Sequence, residues 1–186
     1  MSTLIVGIDE AGRGALAGPV VAAACMLPAM KNYPVRIGDS KQMTPLEREK
    51  SCTWLIKNCV HGIGRVEANV IDRIGILAAN EIAMQKAVKQ VAKIHKNLYL
   101  LVDGRDKFWF DYPHSSIIRG DVSELCIGAA SIIAKVTRDK RMVALGKKFP
   151  DYEFEKHKGY GTPEHFAELK KYGMCTEHRK SFLRNL

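Results

Sequence analysis

The chain has 186 residues, 46% of them hydrophobic and 26% charged, a balance that excludes a disordered tail or a fibre and fits one domain of ordinary size. Lysine and arginine outnumber the acids 29 to 20, a formal charge of +9, so an anionic partner such as nucleic acid or an acidic membrane surface is expected. The longest apolar run, Val20 to Leu27, is far short of the ~20 residues that cross a bilayer, and the opening Met1-Ser2-Thr3-Leu4-Ile5-Val6-Gly7-Ile8-Asp9 lacks the basic segment of a secretory signal.

In chain order, Leu4 to Ile8 predicts a strand and Pro19 to Leu27 a second. The glycine-rich link Asp9 to Gly18 joins them as neighbours. Thr44 reads as an N-cap, with Pro45 at the first helical position and Glu47 in capping-box register, opening a helix to about Asn58. Gly62 to Glu67 predicts a third strand. Ile76, Ala79, Ala83, Ala87, Val91 and Ile94 recur at helical spacing and predict a long amphipathic helix. Leu98 to Val102 has the pattern of a buried strand ending at Asp103-Gly104, and Ile117-Ile118 that of a short further one. Asp121 to Lys148 reads as one long helix with Leu125, Ala129, Ile132, Ile133 and Val136 on one face, stopped by Phe149-Pro150. Beyond lie a loop to Thr162, a helix from Pro163 to Tyr172 closed by Gly173, and a last short helix from Thr176. The whole is an α/β pattern with a helical appendage. Residues 135–186 carry 13 Lys/Arg against 7 Asp/Glu, which makes that part the expected anion-facing surface. The five cysteines, Cys25, Cys52, Cys59, Cys126 and Cys175, form no C-x-x-C pair and read as buried thiols in a reducing cytoplasm rather than a zinc site or disulfide framework.

Three acidic positions stand out: Asp9-Glu10 after the first strand, Asp103 at the end of the Leu98 to Val102 run, and Asp121 opening the long helix. Singly, each has a plain reading as loop start, turn or N-cap. Brought together by neighbouring strand ends, they would repel and raise one another's pKa unless a cation neutralised them. Mg²⁺ or Mn²⁺, with oxygen ligands, would do so and could serve phosphodiester hydrolysis on a basic chain. Gly12-x-Gly14-x-x-x-Gly18 superficially resembles a dinucleotide-binding loop, but its spacing is one residue too long and a strand, not a helix, follows. A basic nucleic-acid-binding module without catalysis is the other reading open at this point.

The chain resembles ribonuclease HII, the type 2 ribonuclease H of bacteria. The resemblance is carried by Gly7-Ile8-Asp9-Glu10-Ala11-Gly12-Arg13-Gly14, Gly18-Pro19-Val20-Val21, Asp39-Ser40-Lys41, Leu101-Val102-Asp103-Gly104 and Gly120-Asp121. It continues through Ala129 to Asp139, Lys158-Gly159-Tyr160-Gly161-Thr162-Pro163-Glu164-His165 and His178-Arg179-x-Ser181-Phe182. It implies an RNase H-like fold, a mixed central sheet flanked by helices, with a catalytic core over residues 1–149 and a helical segment over 150–186 packed on it. It also implies a cytoplasmic, monomeric endonuclease that cuts RNA in RNA–DNA hybrids and on the 5′ side of single ribonucleotides in duplex DNA. The metal-binding acids it implies are Asp9, Glu10, Asp103 and Asp121, holding Mn²⁺ or Mg²⁺. The 2′-hydroxyl would be read at Gly12, Arg13 and Gly14, and Tyr160 would stack at the RNA–DNA junction. Ser40, Lys41, Lys135, Arg138 and Lys158 are the phosphate-contact candidates. The sequence departs from the family pattern at Gln42-Met43, Arg105 and Gly75, none of them a proposed ligand.

Overall fold

The computed structural model describes residues 3–183. Five strands form one mixed sheet: β1 (Leu4–Ala11), β2 (Val20–Met26), β3 (Val60–Val66), β4 (Leu98–Asp103) and β5 (His114–Ile117), in the order β3-β2-β1-β4-β5. β1 is antiparallel to β2 and parallel to β4. The β1–β2 ladder runs on to Ala11 opposite Val21, whereas β1 leaves β4 at Ile8 opposite Val102. β1 is therefore longer than its apolar run, because β2 supplies backbone partners past the point where hydrophobicity stops.

Helices cover both faces. On one lies α3 (Ile76–Ile94), whose Ala83, Met84, Ala87 and Val91 pack against Val6, Ile8, Val20, Ala22 and Leu100. On the other, α1 (Pro45–Asn58) and the central helix α5 (Leu125–Lys148) bury Leu55, Ala129, Ile132 and Ile133 against Ala23 and Cys25. α1 begins as its sequence predicts: Thr44 Oγ1 accepts from the Glu47 amide and the Glu47 carboxylate accepts from the Thr44 amide.

α5 approaches the sheet closely because β1 offers a glycine. A Cβ on Gly7 would stand 2.1 Å from the Cys126 carbonyl carbon and 2.3 Å from the Ile127 nitrogen. The first turn of α5 thus lies directly on β1, beside the acids two and three residues further along the strand.

Several expectations shift in detail. The helix predicted from Asp121 is two: α4 (Gly120–Ser123) and α5, separated by an extended Glu124. Asp121 therefore sits inside a one-turn helix whose N-cap, Arg119, is in the left-handed region at φ 58. β5 lies three residues before its predicted start, in the polar His114-Ser115-Ser116-Ile117, where backbone pairing at a sheet edge needs no apolar signal. α2 (Ala68–Ile74), ended by Gly75, is an addition. It is short, and Glu67 before it gives no side-chain cap. The expected loop at 150–162 contains a 3-10 turn (Pro150–Tyr152) and α6 (Phe154–His157). α7 (Pro163–Tyr172) follows its predicted limits.

The segment after α5 has its own small core, Ala17, Met142, Leu145, Tyr152 and Phe154, and a histidine relay. His165 donates from Nδ1 to the Tyr160 carbonyl (2.9 Å), so its Nε2 accepts. His178 accepts at Nδ1 from the Cys175 amide (2.9 Å), so its Nε2 donates to His165 Nε2 at 3.0 Å. One proton between two imidazoles requires both rings neutral. Burial, first of all, pushes both pKa values down to about 4. The unfolded chain takes up protons near pH 6.5 that the folded one refuses until about 4. This contribution to stability is complete above pH 6.5 and is lost as pH falls toward 4. Thermal melts should show a midpoint roughly 5–10 °C lower at the acid end. His165→Asn should remove about half of that acid loss, leaving the share of His178, and an unchanged pH profile in the variant would refute it.

Candidate active site

Four carboxylates border one region of the sheet. Asp9 and Glu10 project from β1, not from a loop after it, and strand alternation sends them to opposite faces. Asp9 turns toward α5, where the Ser131 hydroxyl favours its charged form. Glu10 turns toward α3, where Asn80 favours the charged form of Glu10. Asn80 is fully buried, and neither of its amide atoms makes a hydrogen bond of ordinary length. Asp103 is the last residue of β4, and its Oδ1 accepts from the amides of Gly120 (2.8 Å) and Asp121 (3.4 Å). That pair of bonds ties α4 to the strand end and fixes Asp121 beside it. The Lys41 ammonium lies 3.6 Å from Asp121 Oδ2.

The electrostatics are those of crowded acids. Burial, then Glu10 and Asp103, holds the Asp9 carboxyl well above the usual carboxylate range. Burial raises Glu10 against the opposing pull of Asn80 and Arg13. Burial and then Asp121 raise Asp103. Lys41 responds in the complementary sense: burial alone would lower it, but Asp121, Asp9, Asp39 and Asp103 together hold it above its ordinary value.

Asp9, Glu10 and Asp103 line a cavity of about 430 Å³ together with Gly12, Arg13, Gly14, Ser40, Lys41, Ser131, Lys135 and Tyr160. Most of the substrate-contact candidates thus share one cleft with three of the acids. The donors are hard oxygens, which fit Mg²⁺ or Mn²⁺. Among the described residues, however, no three His, Cys, Asp or Glu side chains form a ready coordination group. The alternation of Asp9 and Glu10 and the capture of Asp103 Oδ1 by two amides account for the spread.

The cations divide. Lys41 is exposed beside Asp121. Lys135 pairs with Asp139 at 2.9 Å and lies 5.6 Å from the centre of the Tyr160 ring. Arg13 is engaged by Asp106 at 2.6 Å and by Glu10 at 3.9 Å. Ser40 is buried and shares a hydrogen bond of 2.9 Å with Ser131 Oγ. Lys158 bonds the Glu155 carbonyl and borders an adjoining groove with Lys140 and Lys156 rather than the cleft. Arg138 requires correction as a phosphate contact. It is 0% exposed, and its guanidinium donates to the carbonyls of Pro19 (3.0 Å), Lys158 (2.9 Å) and Ala17 (3.1 Å). It stands under the Tyr160 ring, 5.1 Å from its centre, and beneath Gly12, where φ is 90 and a Cβ would meet Arg138 Nε at 1.8 Å.

Sequence reasoning overlooked Asn80, Asp106, Ser131 and the role of Arg179. Arg179 is also 0% exposed and donates to the carbonyls of Gly12 (2.8 Å), Arg13 (3.0 Å) and Gly18 (3.0 Å). Ser131 and Arg179 lie in the motif blocks quoted above and could have been suspected. Nothing in the sequence marks Asp106, since it depends on where the loop after β4 returns.

The family model for Ribonuclease HII matches residues 6–185. The chain belongs to the ribonuclease HII family. Ribonuclease HII of Leuconostoc mesenteroides subsp. mesenteroides is 48% identical over 181 residues, 96% of this chain and 70% of that one. The crystal structure of ribonuclease H2 from Pyrococcus horikoshii OT3 superposes with a TM-score of 0.74 at 27% identity, covering 95% of this chain and 92% of that one. Bst-RNase HIII in complex with Mn²⁺ shares the fold, with a TM-score of 0.67 at 13% identity over 97% of this chain and 65% of that one. The mixed-sheet, RNase H-like architecture expected from the sequence is the one found. As a ribonuclease HII, the chain is a ribonuclease H acting on RNA-containing nucleic acid.

Proposed function

We propose that this ribonuclease HII hydrolyses RNA within RNA–DNA hybrids and cuts on the 5′ side of single ribonucleotides in duplex DNA, leaving 3′-hydroxyl and 5′-phosphate ends. The observation that carries this reading is the single cleft lined by Asp9, Glu10 and Asp103 together with Gly12, Arg13, Gly14, Lys41, Lys135 and Tyr160. Acids that would repel a phosphodiester stand next to cations that would hold one, an arrangement that makes sense when a divalent ion joins them.

Asp9, Glu10, Asp103 and Asp121 are the residues that would hold Mg²⁺ or Mn²⁺, after side-chain rotation, since no three now share a coordination group. Mn²⁺ in the Bst-RNase HIII structure supports a divalent ion on this fold. When bound, such an ion supplies Lewis-acid stabilisation to the phosphate and lowers the pKa of water. The chain's own residues do the positioning. Lys41 and Lys135 offset the charge of the phosphates. The Gly12 to Gly14 loop approaches the ribose, and Tyr160, held over Arg138, offers a ring face to the sugar of the following nucleotide. Of the helical segment assigned to 150–186, the described residues 150–183 act as a frame for that tyrosine, packed on the core that precedes them. The five cysteines are free thiols, which supports a reducing compartment such as the cytoplasm.

The test is a duplex bearing one ribonucleotide, incubated with Mg²⁺ or Mn²⁺ and again with EDTA, followed by end-group analysis. Cutting with the ion, silence with EDTA, and 3′-hydroxyl and 5′-phosphate ends are expected. A 2′,3′-cyclic phosphate would overturn the mechanism. Tyr160→Ala should lower kcat/KM on the single-ribonucleotide duplex about tenfold more than on a long hybrid. Equal losses on the two substrates would remove the stacking role.

A further inference from the structure

Arg138 and Arg179 are fully buried cations whose guanidinium hydrogen bonds go to six main-chain carbonyls, three each. Burial, and next the neighbouring Arg138, lowers Arg179 to about 9, so it stays protonated at neutral pH. A buried charge without a carboxylate is retained only when its hydrogen bonds are satisfied. Here all six acceptors come from the two loops that border the cleft, Gly12 to Pro19 and Lys158 to Tyr160.

The direction of those carbonyls decides what the first loop can present. A trans peptide points its C=O and the following N–H to opposite sides. With the Gly12 and Arg13 carbonyls turned onto Arg179, the amides of Arg13 and Gly14 point away from it. Neither amide donates to another group among the described residues. Gly12, Arg13 and Gly14 line the cleft, and Arg179 does not.

We propose that Arg179 is a positioning residue for ribose recognition: it holds the loop carbonyls inward and so leaves the Arg13 and Gly14 amides as a face of donors only. A 2′-hydroxyl oxygen can accept from that face, and a deoxyribose offers nothing in its place. A fork is needed because three carbonyls are held by three different nitrogens of one planar group. A lysine ammonium keeps the charge but cannot span them. Arg138 braces the same frame from below, linking Ala17 and Pro19 to Lys158. The inference rests on the ribonuclease HII reading and adds the group that sets its selectivity.

The experiment is steady-state cleavage of a single-ribonucleotide duplex by Arg179→Lys, with equilibrium binding of that duplex and of an all-DNA duplex measured in Ca²⁺. The variant should raise KM, and Kd for the ribonucleotide duplex, about tenfold, with kcat within about twofold and all-DNA binding unchanged. A folded variant with wild-type KM and wild-type preference would overturn the proposal, as would equal weakening on both duplexes. Should the variant not fold, amide exchange in the wild-type protein decides the matter. The Arg13 and Gly14 amides should exchange freely alone and become protected with the ribonucleotide duplex but not with all-DNA. Identical protection by both, or by neither, would refute the donor face. A wild-type enzyme that cuts no ribonucleotide duplex would instead sink the functional reading itself, which keeps the two failures apart.

Discussion

Asp9→Asn should lower kcat on a ribonucleotide-containing duplex by about two orders of magnitude or more, while raising the thermal midpoint of the metal-free protein. The two effects have one source. Asp9 is buried beside Glu10 and Asp103, and all three carboxyls are held above their usual range. The native state keeps a proton that the unfolded chain gives up near pH 4, so stability falls as pH rises through the gap between the two values. At neutral pH burying Asp9 beside the other acids therefore costs the metal-free fold stability, and asparagine of the same shape relieves it. The same substitution removes a negative oxygen from the proposed ion site. Added Mg²⁺ should raise the midpoint of the wild-type protein more than that of the variant. Melts with and without the ion, alongside turnover, check both signs. A variant that cuts normally at saturating Mg²⁺ would take Asp9 out of the chemistry.

Gly7→Ala should reduce stability by about 3 kcal/mol, which for a chain of this length is roughly 6–12 °C in midpoint. The new methyl would meet the main chain of Cys126 and Ile127 at 2.1 to 2.3 Å. Unlike a flexible side-chain tip, a helix backbone cannot move aside alone. α5 must lift from β1 as a unit, carrying Ser131 away from Asp9 and loosening the α4–α5 junction that places Asp121. Activity should fall further than stability predicts at a temperature where the variant is still folded. Calorimetry and kcat on the same preparation measure the two separately, and a midpoint within 2 °C of wild type would contradict the close packing.

Those two glycine- and acid-centred effects illustrate what could be read from the sequence. Apolar periodicity gave α3 and β4, and the Thr44-Pro45-Glu47 capping pattern gave α1, because those signals are local. The acids could be picked out by their place at the ends of apolar runs. Their disposition could not, since β1 continues past its hydrophobic stretch under the influence of β2, and that continuation turns Asp9 and Glu10 to opposite sides. The sequence places the start of β5 three residues late because His114, Ser115 and Ser116 are polar and owe their conformation to a neighbour. Arg138 was misjudged for the commonest of reasons: a basic residue in a basic helix is expected on the surface. Only the tertiary fold shows six carbonyls waiting for it and for Arg179. The histidine relay, likewise, joins residues 13 positions apart through tautomers that their backbone partners select.

The lateness of Arg179 has a consequence for how the protein comes into being. The loop at residues 12 and 13 leaves the ribosome early, with two of the acids beside it, but the guanidinium that orients its peptides is added more than 160 residues later. Until then the growing chain carries the acids without the frame that presents a sugar to them.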